Sequence, residues 1–268
     1  MVRENSLRVS VASLARVVFN LPGEARPMLA LERKATMIEA EAKQEVRVKA
    51  QPFGGAVRLR DRSPLVKLVG DFSFDSQRSQ DEGDFRILIQ PEQWPAVRDF
   101  CLRHLDHSDD PVLETTPERE LVEEFYDALG IRLTPDQYSV QAVGMLIESH
   151  PARSENIHAA GYPTARIYRV FEVRIQNIAI AQTIIESSAR YSDEDLRRLV
   201  MQNAIHGRPG RANATLALPL RWLTNRYLAL PEQNRNTAVK IAGHLLDGNV
   251  PAILKGVPVP KYQRISSQ

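Results

Sequence analysis

The 268-residue sequence contains one cysteine, only 6% aromatic residues and no run of eighteen apolar residues. The single cysteine, Cys101, excludes an intramolecular disulfide and suits a reducing compartment, so we expect a cytoplasmic protein. The lack of a long apolar run argues against a membrane-spanning helix and a membrane partner. With 43% hydrophobic and 25% charged residues, the composition is that of a globular protein with a substantial buried core.

Three common catalytic signatures are also missing. The chain has no nucleophile elbow G-x-S-x-G, no dinucleotide-binding G-x-G-x-x-G and no P-loop G-x-x-x-x-G-K-[ST]. These absences argue against the commonest hydrolases, dehydrogenases and NTPases. The string H-G-R-P-G-R-A-N at 206–213 has two glycines and two arginines, so it is either a phosphate contact or an interhelix turn.

Charge is distributed unevenly along the chain, although the net charge at pH 7 is only +2. Residues 71–136 hold six arginines against seventeen Asp and Glu, a balance of −11, whereas residues 197–268 carry eleven Lys and Arg against two acids, a balance of +9. An acidic middle suits a divalent cation, and a basic C-terminal quarter suits phosphate groups. Mutual attraction of the two regions would give the same pattern, so both explanations stay open.

Cysteine and histidine lie close together in one segment. Cys101, His104 and His107, with Asp106 or Asp109 nearby, have the spacing of neighbours on a helix, which zinc could use. No matching second cluster occurs elsewhere in the sequence. We therefore favour a buried thiol at Cys101 over a zinc ligand.

Hydrophobic periodicity and turn residues predict a mixed chain of helices and strands. The predicted helices lie at 27–42, 94–105, 116–129, 192–206 and, with breaks, 212–254. The predicted strands lie at 45–49, 53–59, 84–90, 138–147 and 167–175, with an acidic loop at 69–83. The first twenty residues fit either a strand or an amphipathic helix. This order of elements predicts an α/β protein of the mixed α+β kind.

The most informative motif is R-E-L-V-E-E at 119–124. On a helix, Glu120 lies one turn from both Glu123 and Glu124, and Asp127 falls on the same side. Carboxylates crowded in this way repel one another unless a cation joins them, and Mg²⁺ prefers oxygen ligands. The opposite face would pack against the core through Leu121, Phe125 and Ala128. A solvated charged helix face is the simpler explanation of the same string.

This motif resembles the second half of the Nudix hydrolase box, R-E-aliphatic-x-E-E. The matching positions are Arg119, Glu120, Leu121, Glu123 and Glu124. The glycine-containing strand before the helix, the two strands after it and the helix at 192–206 also resemble the element order of that family. The resemblance implies a Nudix-like α/β/α sandwich over 46–206, with an N-terminal extension at 1–45 and a basic helical region at 207–268 packed on it.

The resemblance also implies a site. Glu120, Glu123 and Glu124 would bind Mg²⁺ (or Mn²⁺), and Arg119 would orient them by hydrogen bonds. The implied reaction is attack of water on a phosphoanhydride in a nucleoside diphosphate derivative or a related diphosphate. The residues that remain open as general base are Glu148 and Glu155. Those that remain open as a diphosphate clamp are Arg153, Arg166 and Arg169.

The first half of the box departs from the family pattern. Leu105 and Pro111 stand where the family has a glycine and a glutamate, and Tyr126 stands where a glycine follows the last glutamate. Glu114 would replace the missing glutamate only with a shortened loop. The alternative is therefore a non-catalytic Nudix-like module that binds nucleotides, or binds nucleic acid through the basic residues 207–268. A homodimer also remains open.

Overall fold

The computed structural model describes residues 6–23, 26–40, 43–107, 109–148, 152–153, 161–220 and 262–265. The strands are β1 (Leu7–Phe19), β2 (Met28–Ala40), β3 (Lys43–Gln51), β4 (Phe53–Ala56), β5 (Ser73–Phe74), β6 (Arg86–Ile89), β7 (Tyr138–Glu148), β8 (Ala152–Arg153), β9 (Pro163–Ile175), β10 (Arg211–Pro219) and β11 (Tyr262–Ile265). The helices are α1 (Ser63–Val69), α2 (Gln77–Glu82), α3 (Trp94–Leu105), α4 (Glu118–Leu129), α5 (Ile178–Arg190) and α6 (Asp193–Ile205).

The described strands form one mixed sheet with β1 near its centre. One edge of β1 runs parallel to β9, from the pair Arg8↔Thr164 to the pair Val18↔Arg174. The other edge pairs antiparallel with β6, then β4, then β2 along its length. β4 and β2 therefore lie end to end beside β1, and both contribute to the site described below.

Helices cover both faces of the sheet. α1 and α3 pack on one half of a face around Val9 and Val11. α4 and α5 pack on the other half of that face around Ala15 and Val17. α6 packs against Ala35 and Ala214. Since side chains alternate along a strand and Ala30 of β2 faces α4, Ala35 faces the opposite side of the sheet. The fold is thus a mixed α+β arrangement with an open mixed sheet between helices, which confirms the predicted class at this level.

Two predicted helices are wrong where the structure describes them. Residues 27–42 are strong helix formers but form β2, because β2 pairs with β1 and then β3 on one edge and with β10 on the other. Residues 211–219 form β10, a strand in the same sheet, and not the start of a helical region. Residues 221–261, which hold the rest of the predicted helices, lie outside the described residues.

The predicted N-terminal extension at 1–45 includes β1 and β2, which belong to the same sheet as residues 46–206. The segment from 207 onward likewise adds β10 to that sheet. The predicted loop at 69–83 contains β5 and α2, and the sequence patterns did not indicate α5. The other predicted strands and helices are confirmed: β3, β4, β6, α3, α4, β7, β9 and α6.

No helix within the described ranges is long and apolar enough to cross a membrane.

Candidate functional site

The carboxylate helix α4 is anchored by its apolar side. Leu121, Phe125 and Ala128 are buried in the cluster around Ala15, and the ring of Phe125 lies 4.7 Å from that of Phe53 in β4. The helix ends at Gly130 in the left-handed conformation, where glycine carries no steric penalty. It begins at Glu118 with Pro117 as N-cap and no side-chain cap. The prediction that one face packs on the sheet is therefore confirmed, but Glu120 and Glu124, beside this apolar face, also contact β4, and only Glu123 is largely exposed.

Arg119, in the first turn of α4, contacts several groups of the site. Its Nε donates to Oε2 of Glu114 at 2.9 Å, and its Nη2 donates to the carbonyl of Ala56 at 3.3 Å. Its Nη1 lies 2.6 Å from Oε1 of Glu120 and 3.7 Å from Oε2 of Glu123. The side chain thus ties the preceding loop, β4 and two helix carboxylates together. Glu114 therefore contacts this arginine from the loop before the helix.

Glu120 lies directly over Gly55 of β4. A Cβ atom at position 55 would overlap with the carboxyl group of Glu120, so the missing side chain makes the room that this carboxylate occupies. The side chain of Glu120 is 19% exposed. Burial raises the pKa of Glu120, and the negative charges of Glu123 and Asp84 raise it further, against the opposing effect of Arg119.

Glu124 is held by the adjacent glycine. The backbone N–H of Gly54 donates to Oε2 of Glu124 at 2.5 Å. Gly54 has φ +128°, and a Cβ atom there would overlap with the carbonyl oxygen of Ser13, so the strand approaches β1 too closely for any side chain. The two successive glycines of β4 therefore serve different carboxylates of α4: one accommodates Glu120 and the other binds Glu124.

Glu32 of β2 is a further acidic residue at this site, which the sequence patterns missed. Its side chain is fully buried, and its Oε2 accepts a hydrogen bond from Nε2 of Gln51 at 2.6 Å. Its Oε1 accepts no hydrogen bond, and Nζ of Lys34 lies 3.8 Å away. If residues 28–40 had been predicted as a strand, the importance of Glu32 would have been visible, because it then lies on the same face of the strand as the apolar Ala30.

The buried carboxylates repel one another. Burial and the charge of Glu32 hold the pKa of Glu124 well above its ordinary value. The pKa of Glu32 is also raised, first by burial and then by Asp127, against the nearby cations Lys34 and Arg211. Arg211 is itself 3.7 Å from Asp127. The result is a patch whose acidic groups are poorly compensated, which is the electrostatic condition for binding a cation.

The donor chemistry of this patch fits a hard divalent cation. Glu32, Glu120 and Glu124 offer carboxylate oxygens, and Oε1 of Glu32 has no hydrogen bond to lose. Glu123 is more peripheral, with a side chain that is 62% exposed. Within the described ranges, no three Asp, Glu, His or Cys side chains converge in the geometry of a metal site. Binding of a cation would therefore require rotation of these side chains about their own bonds.

The other residues considered from the sequence have mixed outcomes. Arg166 and Arg169 lie on β9 with side chains on opposite faces, since they are three positions apart in one strand. Arg169 is buried on the face that carries α4. The side chains of Glu148 and Arg153, and the whole of Glu155, lie outside the described residues. Residues 206–210 form the turn between α6 and β10, and Arg211, the first residue of β10, lies 3.7 Å from Asp127 of α4.

The cysteine and histidine segment does not form a metal cluster in the part of the chain that the structure describes. Cys101 is fully buried in the apolar cluster around Val9, and burial raises the pKa of its thiol. Nδ1 of His104 lies 2.8 Å from Oδ2 of Asp110, whose Oδ1 also accepts the N–H groups of Val112 and Leu113. These contacts order the loop that leads into α4, so the segment has a structural role.

Comparison with protein-family models, with curated proteins and with solved structures found no match to this chain.

Proposed function

We propose that this chain is a Mg²⁺-dependent (or Mn²⁺-dependent) Nudix-like hydrolase that cleaves a phosphoanhydride in a nucleoside diphosphate derivative or a related diphosphate. The supporting observation is the fit between α4 and β4. Glu120 lies in the space left by Gly55, and Glu124 accepts the N–H of Gly54. This arrangement holds two carboxylates of the R-E-L-V-E-E motif on α4 side by side against β4, and a metal-dependent hydrolase needs ligands positioned in this way.

Each residue of the site has a distinct task in this proposal. Glu120, Glu123 and Glu124 would hold the metal ion, which supplies charge neutralisation at the phosphoryl oxygens when bound. Arg119 would keep Glu120 and Glu123 oriented through its two contacts and would couple both to Glu114. Glu32 would add negative charge behind Glu124, which raises the affinity of the patch for a cation.

A second candidate function is a Nudix-like binding module without catalysis. It is favoured by the position of Leu105, which stands where the family box has its glycine and is fully buried in the core cluster around Val9. The loop before α4 is then held by Asp110 and His104, and offers no first-half glutamate other than Glu114. Such a module would bind a nucleotide-type diphosphate and leave it unchanged.

A panel of nucleoside diphosphate derivatives, incubated with the full chain and Mg²⁺, separates the two functions. Release of product supports the hydrolase, and binding without product supports the module. The matched control is Glu194→Gln on α6, where the side chain is 73% exposed and remote from α4. Loss of turnover in Glu124→Gln, with activity retained in Glu194→Gln, assigns the chemistry to this site.

A further inference from the structure

A row of polar positions crosses the sheet beside Glu120. Ser13 of β1 is paired in register with Gly55 of β4 on one side and with Arg169 of β9 on the other. Side chains of residues paired in register project from the same face of a sheet. The carboxyl group of Glu120 lies where a side chain of Gly55 would project, so this face of Gly55 is the one covered by α4. Ser13 and Arg169 therefore project from the face that α4 covers.

Both polar side chains in this row are buried and have unused hydrogen-bonding groups. Ser13 is 2% exposed and its Oγ makes no hydrogen bond, and Arg169 is 7% exposed and its Nη1 makes none. Buried polar atoms almost always have a partner, and a buried donor or acceptor without one is costly. Two such groups on neighbouring strands indicate a position that a ligand fills.

The surroundings make this row distinct. On the same face, Val11 is paired with Ile167 on one side of the row, and Ala15 is paired with Phe171 on the other. All four are buried apolar residues. On β1 and β9, the row therefore separates the apolar cluster under α3 from the apolar cluster under α4. Core packing alone would favour apolar residues here, since a polar pair without partners weakens the fold.

The geometry points to a buried anion subsite in which Arg169 and Ser13 bind a phosphate group of the substrate, next to the carboxylates of α4. The inference rests on the proposed function for the identity of the ligand. A guanidinium donates two parallel N–H groups that match phosphate oxygens, and a serine hydroxyl adds a third donor. The subsite selects Arg169 over Arg166, whose side chain projects from the opposite face.

Nη1 of Arg169 is the donor of this side chain that lacks a partner. Its Cζ lies 5.3 Å from the ring centroid of Phe171, so the apolar part of the group is covered. The nearest acidic influence is Asp106, at the end of α3, which favours the charged form of the arginine against the effect of burial. Along the row, a phosphate bound between Ser13 and Arg169 would lie one strand away from the carboxylate at Gly55.

Titration of the full chain with methylenediphosphonate in the presence of Mg²⁺ tests the subsite, because this probe carries two phosphate-like groups and cannot be hydrolysed at its bridge. We expect Arg169→Met to raise the dissociation constant about ten- to a hundred-fold, as expected for loss of a charge-assisted hydrogen bond, and Ser13→Ala to raise it about three- to tenfold. Arg174→Met is the matched control, since it removes the same charge from the same strand on the opposite face.

Thermal unfolding of each variant without ligand provides the folding check. Arg169→Met should be at least as stable as the wild type, because it replaces a buried charge that lacks a full set of partners with an apolar side chain of similar length. Arg169→Lys keeps the charge but loses the planar pair of donors, so it should bind more weakly than the wild type even if the methionine variant fails to fold.

The subsite is overturned if the wild type does not bind the probe, or if Arg169→Met and Arg169→Lys bind it as tightly as the wild type does. Hydrolysis is measured separately on the same proteins. Binding that depends on Arg169 without turnover of any substrate keeps the subsite and removes the proposed hydrolase. Turnover with binding that is independent of Arg169 keeps the hydrolase and removes the subsite.

Discussion

The carboxyl group of Glu120 in α4 occupies the space that a side chain at Gly55 of β4 would need. The atoms in conflict lie at the end of a flexible glutamate, so an alanine at 55 would push the carboxylate aside without moving the backbone. A change in the strand thus acts on the helix carboxylate, which makes the relationship testable.

We expect Gly55→Ala to fold normally and to lose most of the proposed metal-dependent activity. The added methyl group displaces the carboxylate of Glu120 from beside Arg119, and misplacement of a catalytic group by about 1 Å costs on the order of a hundredfold in rate. The measurement is turnover at saturating Mg²⁺ together with the melting temperature. Unchanged turnover in a well-folded Gly55→Ala protein would show that the position of Glu120 does not matter.

Gly54→Ala should behave in the opposite way and destabilise the protein. Its φ of +128° is disfavoured for an L-residue, and its Cβ would overlap with the backbone carbonyl of Ser13, which cannot rotate away. We expect a loss of about 1 to 3 kcal/mol in the free energy of unfolding from the backbone conformation alone. Urea denaturation at neutral pH measures it. A Gly54→Ala variant as stable as Gly55→Ala would contradict the described path of β4.

Without a divalent cation, the contribution of Glu124 to stability should fall as pH rises above about 4.5. The pKa of Glu124 in the folded chain is raised from its ordinary value of 4.5 by burial and by Glu32. The folded state therefore binds more protons than the unfolded state between the two pKa values, and stability declines through that interval. Each unit by which the pKa is raised corresponds to about 1.4 kcal/mol lost at higher pH.

Glu124→Gln and Glu32→Gln each remove one of the two charges that repel across this patch. We expect each variant to be more stable than the wild type at pH 8 in EDTA, and to show a smaller gain in melting temperature when Mg²⁺ is added. Differential scanning calorimetry from pH 4 to pH 9, with and without Mg²⁺, measures both effects. The same dependence of melting temperature on pH in the wild type and in both variants in EDTA would refute the repulsion.

Arg119→Lys should raise the Mg²⁺ concentration needed for half-maximal activity about tenfold, the lower end of the usual effect of losing a group that orients metal ligands. Lysine keeps the positive charge, but it cannot reach Glu114, Glu120 and the carbonyl of Ala56 at once as the guanidinium does. Mg²⁺ titrations of turnover give the value. Arg197→Lys on α6, where the arginine is 46% exposed, is the control and should leave the titration unchanged.

The sequence alone was sufficient for α4, because its apolar and acidic residues recur at helical spacing and Gly130 ends the pattern. It was misleading for β2, where residues that favour a helix form a strand because both edges pair with other strands. Because the strand was not predicted, Glu32 was not recognised as a site residue. The row of Gly55, Ser13 and Arg169 could not be inferred from spacing, since it depends on the register of three strands that are distant in the chain. Local patterns indicated the helix, and long-range pairing determined what lies opposite it.

The most direct test of the proposed hydrolase is product release from a panel of nucleoside diphosphate derivatives in Mg²⁺, measured for the wild type, Glu123→Gln and Glu124→Gln. We expect Mg²⁺-dependent cleavage of a phosphoanhydride by the wild type, and a loss of at least about a hundredfold in turnover in Glu124→Gln with a folded protein. Glu123→Gln should also lose turnover. Full activity in both variants, or cleavage that persists in EDTA, would refute the proposed hydrolase.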